Sequence, residues 1–468
     1  HGRERLFRSC RNERAAARGA LGAQIRPFGV AIELCRDVGT ARNDREILAA
    51  RICYQRRDQL GCDTLTAHAG GDQRVFRIAG SAAQYPGELA RLCSFGVARA
   101  IFTLLATPDA LDFDLRRFHF RTFPSCASNA RVVMGVPMLF LSDNAASVHP
   151  AVWDALQSAD APDSPYDGDA ASAALDERFS DLFGRPCAVL WVATGTAANC
   201  LALASMVQPH GAVVCHEEAH IEMDEGGAPG FYLHGAKLIL AQGEGAKLSP
   251  DAIRAAIDPI RDDVHQVQPH AVSITQASEY GCCYRPEEIA AIASLARQRG
   301  LALHVDGARF ANAVAFLGCT PGDAVGPADV LSFGFIKNGG MSAEAIVFFD
   351  PVLADVARYR RKRAGHLQSK GRFLAAQLHA MIEDDVWLDN ARHANAAAQE
   401  IARACGERLM HPVEANELFV RCTAAERDTL RARGFGFYDW GADAARFVTA
   451  WNTRVEDARA LAQAVAAL

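Results

Sequence analysis

The stretch LALHVDGAR, residues 301–309, decides the fold of this 468-residue chain. Leu301–Val305 is short and mostly apolar, which is typical of a strand buried on both faces of a sheet. Asp306 follows at the end of this strand, and small residues come next. Because ligands of open α/β sheets bind at the carboxyl ends of the strands, we expect Asp306 at a ligand site. An aspartate that caps the next helix is the alternative interpretation, and this stretch alone leaves both open.

On both sides of this stretch, short apolar runs alternate with helical segments. We predict further strands at Ala188–Val192, Ala212–Cys215, Lys237–Ala241, Ala271–Thr275, Val330–Phe335 and Ala345–Phe349. Amphipathic helices lie between several of them, for example Pro286–Arg299, in which the apolar residues share one face. Such alternation predicts an α/β fold with a mostly parallel sheet.

Toward the C-terminus the pattern changes to long helices with few strands. Leu418–Arg421 and Arg446–Ala450 are the two strands that we predict there. We therefore expect a large domain over residues 138–360, whose N-terminal segment is 138–165, and a smaller C-terminal α+β domain over 361–468.

Residues 1–137 differ from the rest in charge. They contain 21 arginines, no lysine and 13 acidic residues, whereas the remainder contains 28 basic and 42 acidic residues. Because the chain begins at His1, we expect Met134 or Met138 to be the true start, and residues 1–137 to be a basic extension that is not native or is poorly ordered. A native extension of unknown role and a nucleic-acid-binding module are the alternatives.

Composition excludes several classes of protein. No apolar run approaches the roughly 18–20 residues that cross a bilayer, and the N-terminus lacks the apolar core of a secretory signal. The 14 cysteines are scattered without a zinc-binding spacing, so we expect no metal site. Free thiols in a cytoplasmic protein are the expectation, with Cys282 and Cys283 serving only in packing.

The lysines indicate a cofactor. The chain has only five, namely Lys237, Lys247, Lys337, Lys362 and Lys370. Lys337 alone follows an apolar strand and precedes Asn338–Gly339–Gly340, whose glycines allow the backbone to pass close to a bound ring. Pyridoxal phosphate requires a lysine for its Schiff base and a carboxylate opposite its ring nitrogen. Lys337 and Asp306 are our candidates for these two roles.

Two further motifs are compatible with that cofactor. The strand Ala188–Val192 leads into ATGTAAN, residues 193–199, so that Gly195 and Thr196 open a helix whose free N–H groups suit a phosphate. His220 follows another predicted strand, where an imidazole can stack on a pyridine ring. A satisfied surface histidine is the alternative interpretation of His220.

Taken together, these motifs resemble the low-specificity L-threonine aldolases. The resemblance covers residues 138–468 and includes the bacterial-type segment TQASEYG, residues 275–281. Its other motifs are Ser142–Asp143–Asn144, Tyr166–Asp169, Thr194–Asn199, His220–Ile221, Asp224–Glu225, Asp306–Arg309 and Lys337–Gly339. It implies the pyridoxal-phosphate-dependent transferase fold, known as fold type I.

The resemblance also implies roles for individual residues. Lys337 would bind the cofactor covalently, Asp306 would face its ring nitrogen, and His220 would stack on the ring. Gly195 and Thr196 would bind its phosphate. The residues implied for the substrate carboxylate are Ser142, Arg309 and Arg446, and Arg309 would also border the cofactor. Some relatives carry a histidine where this chain has Glu279, so the catalytic base is left open between His220, Glu279 and a bound water.

The implied reaction is a retro-aldol cleavage, through a Schiff base of the substrate with the cofactor. L-Threonine, L-allo-threonine and related β-hydroxy-α-amino acids would give glycine and an aldehyde. A small-molecule substrate and a homodimer or homotetramer are the expected partners, without a membrane or nucleic acid. The alternatives are an aminotransferase, a β-eliminating lyase, a phenylserine aldolase, a serine hydroxymethyltransferase-like enzyme, or a DNA-binding regulator with an aminotransferase-like sensor domain.

Overall fold

The computed structural model describes residues 138–468 and the backbone of five strands nearer the N-terminus. The chain divides into two units, His1–Ala130 and Arg131–Leu468. In the first unit an antiparallel sheet has the order β1-β2-β5-β4-β3. Its strands are β1 (Ala23–Ile25), β2 (Ala31–Cys35), β3 (Arg51–Arg56), β4 (Cys62–Ala69) and β5 (Asp72–Ala79). The other residues of 1–137 lie outside the described ones, so the expectation of a non-native or poorly ordered extension stays a prediction.

The second unit alternates strands and helices along the chain. Its strands are β6 (Met138–Leu139), β7 (Ala188–Val192), β8 (Gly211–His216), β9 (Lys237–Ala241), β10 (Gln268–Thr275), β11 (Ala302–Gly307), β12 (Val330–Phe333), β13 (Glu344–Phe348), β14 (Glu417–Arg421), β15 (Phe435–Gly436), β16 (Tyr438–Trp440) and β17 (Ala444–Val448).

The α-helices of this unit begin at polar caps or prolines in many cases. They are α1 (Pro150–Ser158), α2 (Ala170–Ala173), α3 (Leu175–Phe183), α4 (Gly195–Met206), α5 (His220–Met223), α6 (Ala228–Tyr232), α7 (Pro250–Ile257), α8 (Pro286–Gln298), α9 (Phe310–Leu317), α10 (Pro321–Val325), α11 (Pro351–Arg363), α12 (Arg372–Ile382), α13 (Val386–Cys405), α14 (Ala424–Ala432) and α15 (Val455–Ala466).

A seven-stranded sheet in the order β7-β13-β12-β11-β10-β8-β9 organises the second unit. Every neighbouring pair is parallel except those of β13, which runs antiparallel to both β12 and β7. The prediction of an α/β fold with a mostly parallel sheet is therefore confirmed. Several strand ends differ from the prediction, and two of them lie at the cavity described below. β11 extends to Gly307 and so includes Asp306, whereas β12 ends at Phe333 and leaves a short turn before Lys337.

The sequences of these strands are continuous apolar runs because both faces of the sheet are buried. All residues of β7, β8, β12 and β13 are buried, because helices cover both faces of the sheet. The predicted apolar face of α8 is confirmed, since Ile289, Ile292 and Leu295 are buried. The core cluster that contains them also includes Val305 and Phe333.

A second apolar core lies around the strands near the C-terminus. The sheet β14-β17-β16 is antiparallel, and β14 and β17 pair Phe419 with Arg446. β6 pairs in parallel with β15. Phe140, which follows β6, packs in this second core with Leu418, Phe447 and Leu461. The expected domain boundaries at 360/361 remain predictions.

Two searches of the described residues give further negative results. Each of their helices is too short or too polar to cross a membrane. They also hold no group of three or more His, Cys, Asp or Glu side chains placed to bind a metal ion.

The cysteines of residues 138–468 are all unpaired. Burial raises the pKa of each thiol, namely Cys187, Cys200, Cys215, Cys282, Cys283, Cys319, Cys405 and Cys422.

Candidate active site

A cavity of about 340 Å³ lies where the central parallel strands end. Its walls come from the start of α4, the end of β11, the turn after β12, and single residues of α5 and β13. The sequence therefore brings together residues more than a hundred positions apart, because parallel strands place their carboxyl ends at one edge of the sheet. Five of the predicted site residues line this cavity, namely Lys337, Asp306, His220, Gly195 and Thr196.

Lys337 lies in the turn Ile336–Asn338 directly after β12. Gly339 has a φ of 112°, a left-handed conformation that favours glycine, and the Asn338 side chain donates to the carbonyl of Trp387. Burial, and then the positive charge of Arg309, lower the pKa of the Lys337 amine. The lysine is thus held by a fixed turn, and its uncharged, nucleophilic form is favoured.

A hydrogen-bonded chain connects Asp306 with His220. The Asn199 amide donates to Asp306 Oδ2 at 2.7 Å and to Glu225 Oε1 at 2.9 Å. Glu225 Oε1 is also 2.9 Å from His220 Nδ1. This bond to Glu225 raises the pKa of His220 against the opposing effect of burial. This series of hydrogen bonds fixes both the Asp306 carboxylate and the plane of the His220 imidazole.

The N-terminus of α4 forms another part of the cavity wall. Thr194 caps the helix, because its Oγ1 accepts from the N–H of Ala197 at 3.1 Å. Gly195 and Thr196 are the first two residues of the helix, whose N–H groups have no partner within a helix. The first turn carries no acidic residue, so this end keeps its positive dipole for an anion.

The three residues implied for the substrate carboxylate lie in one charged network beside the cavity. Arg309 donates through Nε to Asp143 at 2.7 Å, and its second contact is Glu417 at 3.1 Å. Arg446 on β17 donates to the other Glu417 oxygen at 2.5 Å. Ser142 is the cap residue immediately before Asp143. Neither arginine lines the cavity itself; both are tied to buried carboxylates.

The pKa values in this network follow from those ion pairs. Burial alone would lower the pKa of Arg309, but Asp143 and Glu417 outweigh it and raise that pKa. Burial would likewise raise the pKa of Asp143, yet Arg309 and then Lys337 hold it below its usual value. Arg309 and Asp143 therefore both stay charged near neutral pH.

Glu279 contacts His220 but does not line the cavity. Its Oε1 accepts from the His220 backbone N–H and from the Thr275 hydroxyl, both at 2.9 Å. Its Oε2 is buried without a hydrogen-bond partner among the described residues. Burial, followed by the charge of Asp306, raises the pKa of Glu279 to about 7.

Sequence reasoning gave no role to five residues that the structure places in the site. Asn199, Glu225 and Asp143 lie inside motifs of the family resemblance, but only the motifs of Asn199 and Asp143 contain a residue that received a role. Glu344 opens a strand that is otherwise apolar, Glu417 opens one whose next three residues are apolar, and both are buried. An acidic residue at the start of such a strand was the available signal, since unpaired charges are rarely buried.

The side chains of the cavity fit pyridoxal 5′-phosphate. A free helix N-terminus suits its phosphate, the Asp306 carboxylate suits its ring nitrogen, and the Lys337 amine suits its aldehyde carbon. The volume lies within the roughly 300–1,000 Å³ of small-molecule sites. Asn199 Oδ1 is buried in the cavity wall without a hydrogen-bond partner among residues 138–468, and it is one more group that a ligand can satisfy.

Comparison with known proteins identifies the family of the chain. The model of the beta-eliminating lyase family matches residues 140–425. The low specificity L-threonine aldolase of Pseudomonas aeruginosa is 45% identical over 332 residues, which are 69% of this chain and 96% of that protein. The enzyme of the same name from Escherichia coli K12 is 28% identical and is covered over 83% of its length.

Solved structures agree on the fold. A Leishmania major threonine aldolase superposes with a TM-score of 0.67 at 26% identity, covering 70% of this chain and 98% of that one. An aspartate aminotransferase from Rhodobacter sphaeroides, at 16% identity, has a TM-score of 0.54 and covers 71% of this chain and 93% of its own; at this identity the likeness concerns the fold alone.

The fold and the site define a pyridoxal-phosphate-dependent enzyme of fold type I. Within that class the chain belongs to the low-specificity L-threonine aldolases, among the beta-eliminating lyases. It is therefore a carbon–carbon lyase, and the predicted family, fold class and cofactor are confirmed.

Proposed function

We propose that this enzyme cleaves L-threonine, L-allo-threonine and related β-hydroxy-α-amino acids to glycine and an aldehyde. The observation that carries the proposal is the joint placement of Lys337, Asp306 and His220 on one cavity, in a chain that is 45% identical to a threonine aldolase. When bound, the cofactor supplies an electron sink for the pair of electrons that the broken carbon–carbon bond releases.

Three residues of the chain prepare that chemistry. Lys337 presents an amine whose lowered pKa favours its uncharged form. Asp306, held by Asn199, stabilises a proton on the ring nitrogen. His220, held by Glu225, covers one face of the ring site.

Arg309 and Arg446 orient the substrate by its carboxylate. Both side chains are already fixed by Glu417, and each retains N–H donors beyond those that this residue occupies. A carboxylate held by these two side chains would fix the orientation of the substrate α-carbon, and with it which of the bonds at that carbon is broken. The Ser142 hydroxyl supplies one more donor beside this pair.

His220 is the better placed of the candidate side chains for accepting the proton of the β-hydroxyl. It lines the cavity, whereas Glu279 contacts only its backbone and the Thr275 hydroxyl. A proton acceptor must be within hydrogen-bond reach of the proton before its pKa matters. A water bound to His220 remains the alternative acceptor.

Aldehyde release from L-threonine and L-phenylserine tests the proposal. The full chain, loaded with pyridoxal phosphate, should form aldehyde and glycine in equal amounts, and Lys337→Ala should form neither. Glycine-free turnover that requires a keto-acid acceptor would identify an aminotransferase instead. Salt-dependent DNA binding by the full chain, without aldehyde release, would favour the regulator alternative.

We also propose a cytoplasmic homodimer or homotetramer. Supporting an assembly, α11 exposes an apolar face formed by Val352, Val356 and Tyr359, with exposed fractions of 67%, 40% and 83%. Phe231, which is 79% exposed, is a further exposed apolar side chain. Light scattering on the purified chain measures its mass directly, and fractionation of the source cells locates it.

A further inference from the structure

Glu344 is a buried carboxyl on the cavity wall that has no role in the mechanism above. Only 5% of the residue is exposed. Its Oε2 accepts from the backbone N–H of Phe335 and, at 3.2 Å, from that of Ile336, the residue before Lys337. No hydrogen-bond partner of its Oε1 is found among residues 138–468.

The free oxygen of Glu344 faces the N-terminus of α4. A Cβ atom built on Gly195 would lie 3.9 Å from Oε1, and no other atom of the described residues outside the local backbone lies within 4 Å of it. Because Gly195 and Glu344 both line the cavity, an anion bound at the helix N-terminus lies next to this oxygen. Two independent features, a helix of twelve residues and a buried carboxyl, thus converge on one position.

An ionised Glu344 conflicts with a phosphate at this position. A phosphate monoester carries a charge of about −1.5 to −2 near neutral pH. A carboxylate in direct contact would repel it, and the more strongly because Glu344 is buried, whereas a protonated carboxyl offers a hydrogen-bond donor.

We propose that Glu344 is a further phosphate-binding residue, protonated when the cofactor is bound and donating a hydrogen bond from Oε1 to a phosphate oxygen. Oε2 accepts the N–H groups of the turn at the same time, so one side chain connects the phosphate to the turn that carries Lys337. The proton is taken up from solvent as the phosphate enters. This inference rests on the proposed phosphate site at Gly195 and Thr196.

The surroundings of Glu344 are compatible with a neutral carboxyl. Burial raises the pKa of Glu344 to about 7, against the two backbone hydrogen bonds. Lys337 lowers this pKa and Asp306 raises it, and His220 lines the same cavity. The neighbouring elements α4 and β7 contribute no charged side chain, and Arg361 of α11 is paired with Asp167.

The test isolates the phosphate by comparing two ligands. Pyridoxamine phosphate and pyridoxamine differ only in the phosphate. The Kd of pyridoxamine divided by the Kd of pyridoxamine phosphate therefore reports the contribution of that group, while effects of Lys337 and His220 on the ring cancel. The ratio is measured by ligand fluorescence from pH 7 to 8.5, where the phosphate is a dianion. The proteins are the cofactor-free full chain and its variants E344Q and T196V.

The proposal predicts three results. In the wild type the ratio falls about tenfold or more between pH 7 and 8.5, because a group with a pKa near 7 must be protonated again. In E344Q, whose amide donates at any pH, the ratio changes by less than about threefold. T196V lowers the ratio at every pH but keeps the wild-type slope.

Other results overturn one proposal or the other. A wild-type ratio that is flat over this range, or an E344Q ratio that falls as steeply as the wild type's, would eliminate the role of Glu344. A ratio that T196V leaves unchanged would instead refute the phosphate site at α4. If E344Q does not fold, the wild-type slope decides the question by itself.

Discussion

Glu417 holds two arginines at once, and this makes the site sensitive to single substitutions. Its Oε1 pairs with Arg446 and its Oε2 lies 3.1 Å from Arg309, while its side chain is fully buried. A buried charge that loses a partner is costly, so the three side chains act as one unit.

Arg446→Ala should raise the KM for L-threonine by roughly 10- to 100-fold. The variant loses charge-assisted hydrogen bonds to the substrate carboxylate, each contributing about 1.5–3 kcal/mol. Steady-state kinetics over a wide range of substrate concentration measure the effect. Arg433→Ala, at an exposed arginine, is the control and should leave KM unchanged. An unaltered KM in Arg446→Ala would remove Arg446 from the carboxylate site.

Glu279→Gln should lower kcat by less than tenfold, because a glutamine oxygen still accepts from the His220 N–H and the Thr275 hydroxyl. Loss of a group that acts as general base costs about 10²–10⁴-fold, so rates of aldehyde release separate the two roles. His220→Asn is the comparison and should lose at least a hundredfold. A hundredfold loss in Glu279→Gln would make Glu279 the base.

Lys337 and Asp306 could be predicted from the sequence because each lies near the carboxyl end of an apolar run that is recognisable as a strand. Glu344 could not, because its partners depend on the antiparallel pairing of β13 with β12, which a local apolar run does not reveal. The pairing of Arg309 with Asp143 joins positions 166 residues apart, and spacing alone carries no information about it. The assigned roles of the site residues stay predictions until tested.

At the scale of elements, one end of α4 carries both the Thr194 cap and the N–H groups proposed for the phosphate. Its strand β7 and its apolar body could be predicted from hydrophobic runs, since both are buried. Strand ends were less predictable, because Gly334 and Phe335 continue the apolar pattern of β12 without its pairing.

Thr194→Ala should lower both stability and cofactor affinity. The substitution removes the cap of α4 and costs about 1 kcal/mol, and it disturbs the N–H groups proposed for the phosphate. Thr423→Ala, which removes the equivalent cap of α14, is the matched control. Both variants should lose similar thermal stability, whereas only Thr194→Ala should have a higher Kd for pyridoxal phosphate. Equal Kd values would separate α4 from cofactor binding.

At the scale of the whole molecule, the two ends of residues 138–468 belong to one core. Phe140 packs with Leu461 of α15, the last helix, and β6 pairs in parallel with β15. The sequence offered no sign of this contact, because β6 is only two residues long.

A chain shortened to residues 134–468 should fold and bind pyridoxal phosphate, whereas one shortened to 141–468 should be much less stable. The second lacks β6 and Phe140, and loss of a buried phenylalanine alone costs about 3–5 kcal/mol. Thermal unfolding followed by circular dichroism compares the two chains. Equal midpoints would mean that Phe140 contributes little to the second core, and failure of both chains would mean that residues before 134 are required.

Tyr359→Glu should dissociate the proposed assembly into smaller species. The substitution places a charge in the exposed apolar face of α11, at its most exposed side chain. Light scattering coupled to gel filtration measures the mass. Val264→Glu, at a fully exposed position outside this face, should keep the wild-type mass. A variant Tyr359→Glu of unchanged mass would place the interface elsewhere.

The raised thiol pKa values have a practical consequence for spectroscopy. Alkylating reagents attack the thiolate, which the cysteines of residues 138–468 hardly populate at neutral pH. In the 134–468 chain, a single cysteine introduced at an exposed position such as Val264 would therefore react far faster than the native ones. A fluorophore or spin label attached there would report on the enzyme in solution without prior removal of any natural cysteine.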